Sequence, residues 1–210
     1  MKKATQERRE REREQHRNEI LDAAEHVFVK EGAAATVEMI ANEAQFAVGS
    51  LYNFFSGKDD IFQQVLLRIS RQSVDSFQSH YERMIDPPEQ GIRVLVGAWF
   101  DFHKKHGSFL HMAHVERYLR RKPLGEVSTD EEREHLENRR QCEALLLRYF
   151  TLLSQSSAAR PLPPEVMMDT FEGFVRMAHF HVMRDQHPRP VSLEPLKAYC
   201  TSALNSLFLK

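Results

Sequence analysis

Residues 36–61 read TVEMIANEAQFAVGSLYNFFSGKDDI, and the fold turns on how this stretch is parsed. Thr36 is a good N-cap residue, and Val37, Ile40, Ala41 and Ala44 recur at offsets 0, 3, 4 and 7, one face of a helix about two turns long. Gln45 and Phe46 follow as a short corner. A second short segment from Ala47 to Phe55 is small and apolar, with Gly49 near its start, and Ser56-Gly57 separates it from a helix beginning near Lys58. Upstream, Ile20, Leu21, Ala24, Val27 and Phe28 lie on one face of a helix that Gly32 ends. Three helices thus fit within about forty residues.

The same periodicity continues outward. Ile61, Val65 and Ile69 start a fourth helix that runs past Phe77 and Tyr81 until Asp86-Pro87-Pro88 stops it. Further helices are expected at 89–106, 108–121, 129–154, 164–186 and 193–208. They are punctuated by Gly107, Pro123-Leu124-Gly125, residues 156–163 and His187-Pro188-Arg189-Pro190. The 210 residues hold only 8 Gly and 9 Pro, 41% are apolar and 28% charged, which excludes a disordered chain and a disulfide-stapled miniprotein. The expectation is an all-α protein of about nine helices. Cys142 and Cys200 are the only cysteines, with no CxxC and no close pairing with histidine, so free thiols in a reducing interior are expected. No run approaches the ~18 apolar residues of a membrane span, and the first residues are charged where a signal peptide is apolar. The reading is a cytoplasmic protein with no membrane partner.

Charge is distributed unevenly. The net charge is -1, so a nucleic-acid partner would have to use a local patch. Residues 1–17 hold seven bases and four acids, a polar basic arm. Between Asn18 and Asp60, eight acids face two bases, Lys30 and Lys58, an unfavourable balance for a DNA binder. From Ala44 to Gly57, however, no residue is charged, so nothing acidic on the second short helix repels phosphate. Either the arm supplies the cations for the whole domain, reaching the backbone or a neighbouring minor groove, or it is an exposed helix pairing its own Glu and Arg residues.

Two short helices joined by such a corner form a helix-turn-helix, whose second helix is narrow enough to enter the major groove; by spacing alone they equally form an ordinary helical corner. The residues themselves add more. Ile20-Leu21-Asp22-Ala23-Ala24, Phe28, Gly32, Thr36, Ile40-Ala41, Ala44, Gly49-Ser50-Leu51-Tyr52, Phe55 and Lys58-Asp59-Asp60-Ile61 stand in order, and this stretch resembles the DNA-binding domain of the TetR/AcrR family of bacterial transcriptional regulators. The resemblance covers roughly the first third of the chain.

The resemblance implies double-stranded DNA as partner and assigns roles. Thr36, Tyr52 and Lys58 match positions that touch phosphates, which position a protein without reading sequence. Val48, Gly49, Ser50 and Asn53 fall where base edges and the nearby backbone are met; Asn53 suits bidentate pairing with adenine and Val48 a thymine methyl. Gln45 and Ala47 complete the DNA-facing set, in a departure from the family. The corner there commonly holds glycine, an aliphatic residue and a capping serine, whereas this chain has Gln45-Phe46-Ala47. A missing cap costs about 1 kcal/mol, and a non-glycine residue at positive φ about as much again.

The expected organisation is an arm over 1–17, a three-helix helix-turn-helix domain over 18–63 and a larger helical effector-binding and dimerisation domain over 64–210. Leu196, Cys200, Ala203, Leu204 and Leu207 form one apolar stripe. In the preceding helix Val166, Met167, Phe171, Phe174, Val175, Ala178 and Val182 form an apolar face, and Met168, Met177, Phe180 and Met183 make other sides apolar as well. Coverage on two sides suits a homodimer. Trp99, Phe102, His103, Phe109, Met112, His114, Tyr118, Phe171, Phe174 and Met177 are the candidate lining of a cavity for a small apolar or aromatic effector. No HExxH motif and no cysteine ligand joins the histidines, so neither a metal nor any other cofactor is expected. No nucleophile elbow or phosphate loop is present either, and the expectation is a ligand-responsive repressor without a catalytic step. Two alternatives stay open on sequence: an enzyme using a histidine in the aromatic region, and an all-α interaction protein whose helix-turn-helix does not bind DNA.

Overall fold

The computed structural model describes residues 2–119, 129–183 and 192–210, and within them the side chains of 5–113, 129–178 and 192–210. Eight α-helices occur among the described residues: α1 (Lys2–Glu31), α2 (Val37–Ala44), α3 (Val48–Leu51), α4 (Lys58–Ile85), α5 (Gly91–Leu119), α6 (Asp130–Ser154), α7 (Pro164–Met183) and α8 (Leu193–Phe208). Short 3-10 turns stand at Gly32–Ala34 and Pro88–Gln90. The fold is all-α, and the one extended contact described is an isolated antiparallel bridge between Ala159 and Leu209.

The helix ends follow from local chemistry. Gly32 takes a φ of 54°, which only glycine adopts without strain, and α1 stops before it. Thr36 is extended and its hydroxyl accepts the Met39 amide at 3.2 Å, capping α2. The Thr129 hydroxyl accepts the Glu132 amide at 3.1 Å in the same way and starts α6.

Three expectations change. The separate helices expected at 89–106 and 108–121 are one, α5, because Gly107 is buried within a continuous helix. An interior glycine costs only about 1 kcal/mol and does not by itself end a helix. The segment expected as a helix over 47–55 is helical only over Val48–Leu51; Phe54 and Phe55 turn back on the Leu51 carbonyl, each at 2.9 Å. Near the chain's end, Val166 is 48% and Leu207 46% exposed, so neither belongs to the inward stripe of its helix. The buried faces are Met167, Phe171, Val175 and Ala178 on α7, and Cys200, Leu204 and Phe208 on α8.

The chain divides into two compact units. The first comprises the described residues of Met1–Ile69 and Phe109–His135. Its core is Ile20, Leu21, Ala24 and Phe28 of α1, Ile40 and Ala41 of α2, Leu51 of α3, Phe55, and Ile61 and Val65 of α4. Phe28, Phe62 and Phe109 pack ring on ring, their centroids 5.2–6.2 Å apart.

The second unit comprises Ser70–Ser108 and Leu136–Lys210. Its core is aromatic: Trp99, Phe100, Tyr149, Phe150, Phe171 and Phe208, with Leu95, Val96, Leu153, Met167 and Leu204 between them. The Tyr149 hydroxyl donates to the Pro88 carbonyl at 2.9 Å, fixing α6 to the start of α5. Cys200 is fully buried, and burial pushes its thiol up to about 11. Both cysteines are free thiols.

Candidate nucleic-acid interface

Residues 36–58 form the candidate interface, and its frame is the corner between α2 and α3. Gln45 sits in the left-handed region at φ 59° and ψ 36°. Its amide donates to the Asn42 carbonyl at 3.2 Å, and the Phe46 amide reaches the Ala41 carbonyl at 2.9 Å. These two bonds are the paired turn that normally closes a helix on glycine. Here glutamine takes that position, so the chain makes the expected corner in spite of the sequence departure. Ala47 then starts α3 with no side-chain cap.

Around this corner Gln45, Ala47, Gly49, Tyr52 and Asn53 are exposed, and Val48 and Ser50 are half-buried. Leu51 and Phe55 point the other way, into the core. Tyr52 is 55% exposed, a large aromatic left in solvent at the end of a one-turn helix. Gly49 has open space where a Cβ would stand. Residues 45–53 are thus uncharged and, save Leu51, exposed or half-buried, with the cation Lys58 next along the chain after Gly57.

Two of the expected phosphate contacts are already engaged. Lys58 Nζ donates to the Ala33 carbonyl at 3.1 Å, tying the first turn of α4 to the turn after α1. An ammonium has three donors, so two directions remain beyond this one. The Thr36 hydroxyl accepts the Met39 amide at 3.2 Å, and the neighbouring Glu38 carboxyl is held below its ordinary value by its own backbone amide first and by the Thr36 hydroxyl second.

Part of the acidic excess counted in the sequence is paired within the unit. Arg68, which lies outside the counted stretch, holds Asp22 at 2.8 Å and Glu25 at 3.3 Å and donates to the Asn18 carbonyl at 3.2 Å. Asp60 accepts the Ser56 amide at 2.7 Å and the Ser56 hydroxyl at 3.1 Å, where a carboxylate favours the start of a helix. Glu43 stands 3.9 Å from His26.

Sequence reasoning missed what lies beside the corner. The guanidinium of Arg13 stands 5.8 Å from the Phe54 ring centroid and that of Arg17 5.5 Å from Phe55. The His16 ring meets Phe46 edge-on at 5.3 Å. Arg17 also donates to Gln64. Residues 2–17 are thus the opening turns of α1, which meets the aromatic residues of the corner through Arg13, His16 and Arg17. The spacing of Arg9, Arg13 and Arg17 at every fourth residue was the available signal.

The candidate effector residues divide between the two units. Trp99 and Phe171 are in the core of the second, with Phe174 packed against it. Phe102 and His103 are half-buried beside them; His103 stacks on Trp99 at 3.7 Å and bonds its carbonyl at 2.9 Å. Phe174 stacks on Tyr199 at 6.1 Å, whereas Met177 is 66% exposed. Phe109 and Met112 belong to the first unit, Phe109 fully buried against Phe28 and Phe62. The side chains of His114 and Tyr118 lie outside the described residues.

Comparison with known proteins bears on this geometry. Residues 20–65 match the family model described as bacterial regulatory proteins, tetR family. Over 101 residues the chain is 31% identical to the HTH-type transcriptional repressor NicS of Pseudomonas putida, a match over 48% of this chain and 47% of that protein. The chain thus spans about half the length of the curated relative it matches. Among solved structures, it resembles the transcriptional regulator FadR from Bacillus subtilis in complex with stearoyl-CoA, with a TM-score of 0.66 and 18% identity over 90% of this chain and 97% of that one. It also resembles the ketosteroid transcriptional regulator KstR2 of Mycobacterium tuberculosis, with a TM-score of 0.67 and 20% identity over 92% and 95% of the two chains. These last two likenesses are of fold. With the α2–α3 corner in place, residues 20–65 form a domain of the kind described by the model for bacterial regulatory proteins of the tetR family.

Proposed function

We propose that this protein is a DNA-binding transcriptional repressor that reads an inverted repeat as a homodimer and is released by a small apolar or aromatic effector. The observation that carries the reading is the uncharged stretch from Gln45 to Asn53, mostly exposed and held on a glutamine-closed corner with Leu51 and Phe55 inward. Val48, Gly49, Ser50 and Asn53 meet base edges, and Thr36, Tyr52 and Lys58 meet phosphates, with Gln45 and Ala47 at the margin. The proposed domains are the arm over 1–17, the DNA-binding domain over 18–63 and the effector and dimer domain over 64–210.

Dimerisation is supported by what α7 and α8 leave uncovered. Val166, Gly173 and Met177 on α7, and Ala198, Tyr199 and Ser202 on α8, are exposed and uncharged. A second copy of the same face covers them, and a two-fold axis matches an inverted repeat. The effector reading rests on the aromatic core of the second unit, with Trp99, Phe102, His103, Phe171, Phe174 and Met177 as proposed contacts from that unit. The FadR structure that resembles this chain holds stearoyl-CoA, and KstR2 is a ketosteroid regulator, so large apolar ligands are the first to screen.

The roles separate by mutation. Tyr52→Phe loses one phosphate hydrogen bond and is expected to weaken binding to all sequences alike with the salt slope unchanged, because a neutral hydroxyl releases no counterion. Asn53→Ala is expected to lose about 1–3 kcal/mol of discrimination at one base pair. Titration of a panel of single-base operator variants measures both. Uniform loss for Asn53→Ala would remove it from the reading set.

A further inference from the structure

The first turns of α1 sort their charges by face. Thr5, Gln6, Arg9, Arg13, His16 and Arg17 recur every three or four residues and lie on one side of the helix. No carboxylate falls on that side. Glu7 and Glu14 fall opposite, while Glu10 and Glu12 flank it. The flanking acids are engaged: Glu12 with Arg8 at 3.2 Å and Glu10 with the Gln6 amide at 3.0 Å.

This cationic side is fixed against the reading corner. Arg13 lies over Phe54 and Arg17 over Phe55, and His16 meets Phe46. Phe54 directly follows Asn53, so the helix runs beside the turn that carries the exposed Tyr52 and Asn53. Arg9 is exposed on the same side, one turn and about 6 Å before Arg13, and Thr5 another turn on. An isolated helix this polar is marginal in water, and the ring contacts supply the tertiary support it needs.

We infer that residues 5–17 of α1 are a rigid second DNA contact, a helical rail whose cationic side lies along the sugar-phosphate backbone flanking the half-site, with Arg9 as its leading phosphate contact. The inference rests on the DNA-binding reading and extends it from the corner to the arm. The rail replaces the cation density that the acidic helix-turn-helix lacks. It adds affinity for any sequence and leaves base preference to the corner.

The test is the salt dependence of binding to mixed-sequence duplex DNA by the full chain, comparing Arg9→Gln and Arg8→Gln. Arg8 sits off the cationic side and is paired with Glu12. Glutamine keeps helix propensity at both exposed positions, and helicity is checked by circular dichroism. The expected result is a salt slope smaller by about one for Arg9→Gln and a much smaller change for Arg8→Gln. Phe54→Leu, which removes the ring under Arg13, is expected to lower the slope as well. Salt-dependent wild-type binding with an unchanged slope in Arg9→Gln overturns the rail and leaves the DNA-binding reading standing. Absence of wild-type binding at any salt removes the reading and the rail together.

Discussion

Gln45 shows how one side chain can violate a local preference and still hold the motif. A left-handed φ costs a non-glycine residue about 1 kcal/mol or more, yet the turn around Gln45 makes both of its backbone bonds. Gln45→Gly is therefore expected to raise stability by about 1 kcal/mol, read as a higher urea midpoint at constant m-value. A lower midpoint would mean that the glutamine side chain itself stabilises the corner. Arg68 is the opposite case, one residue serving three acceptors. Its side chain is 15% exposed and Glu25's is 12%, so Arg68→Met leaves a mostly buried carboxylate without its guanidinium. The expected loss is about 2 kcal/mol at neutral pH, measured by denaturant unfolding, and a loss below about 0.5 kcal/mol would show that solvent screens the cluster. Neither effect was equally legible in the sequence. The strained corner could be read from a missing glycine, whereas Arg68 is more than forty residues from Asp22 and Glu25, and no local pattern joins them.

At the scale of elements, helix ends were legible wherever one residue type has one use. Gly32 stops α1, Thr36 and Thr129 cap, and the proline pair after Asp86 ends α4. Gly107 misled because a glycine marks a break only when nothing packs around it, and here it is buried in the middle of α5. Gly91 marks a different use of the same residue. A Cβ there would stand 2.6 Å from a Tyr149 ring carbon and within clashing distance of the Met84 carbonyl oxygen, where α4, α5 and α6 approach. Gly91→Ala is expected to cost about 2 kcal/mol, because a backbone carbonyl cannot step aside. Thermal unfolding checks this, and an unchanged midpoint would mean the helix start shifts freely. One residue of the expected α7 face, Val166, was misplaced for a further reason. Nearly every side of that helix is apolar, so periodicity alone does not choose which side is buried, and Val166 and Met177 proved exposed. The charge sorting of α1 escaped because charges were summed along residues 1–17, while the information lies in their spacing.

For the whole molecule, the corner, the arm and the exposed residues of α7 and α8 combine into one account. On the proposed reading, each protomer presents one reading surface, and pairing through α7 and α8 turns a weak single-site contact into a bidentate one. Ala198→Arg, placed on that face, is expected to give a folded monomer in sedimentation equilibrium and to weaken operator binding by on the order of a hundredfold. A variant that stays dimeric would move the interface elsewhere. No described helix is long and apolar enough to cross a membrane. Of the candidate sites, the DNA surface was the more legible in sequence, because an ordered string of residues carried it. The effector set was less so. Aromatic residues mark a core as readily as a cavity, and sequence did not separate Phe109 in one unit from Trp99 and Phe171 in the other.

The central claim, a dimeric reader of DNA sequence, meets its most direct test in selection of bound duplexes from a random library by the purified full-length chain. Sequencing of the selected pool at two salt concentrations gives the result. The account predicts an inverted repeat with half-site centres about one helical turn apart, and weaker recovery at the higher salt. Folded protein that enriches no motif at either salt would contradict it.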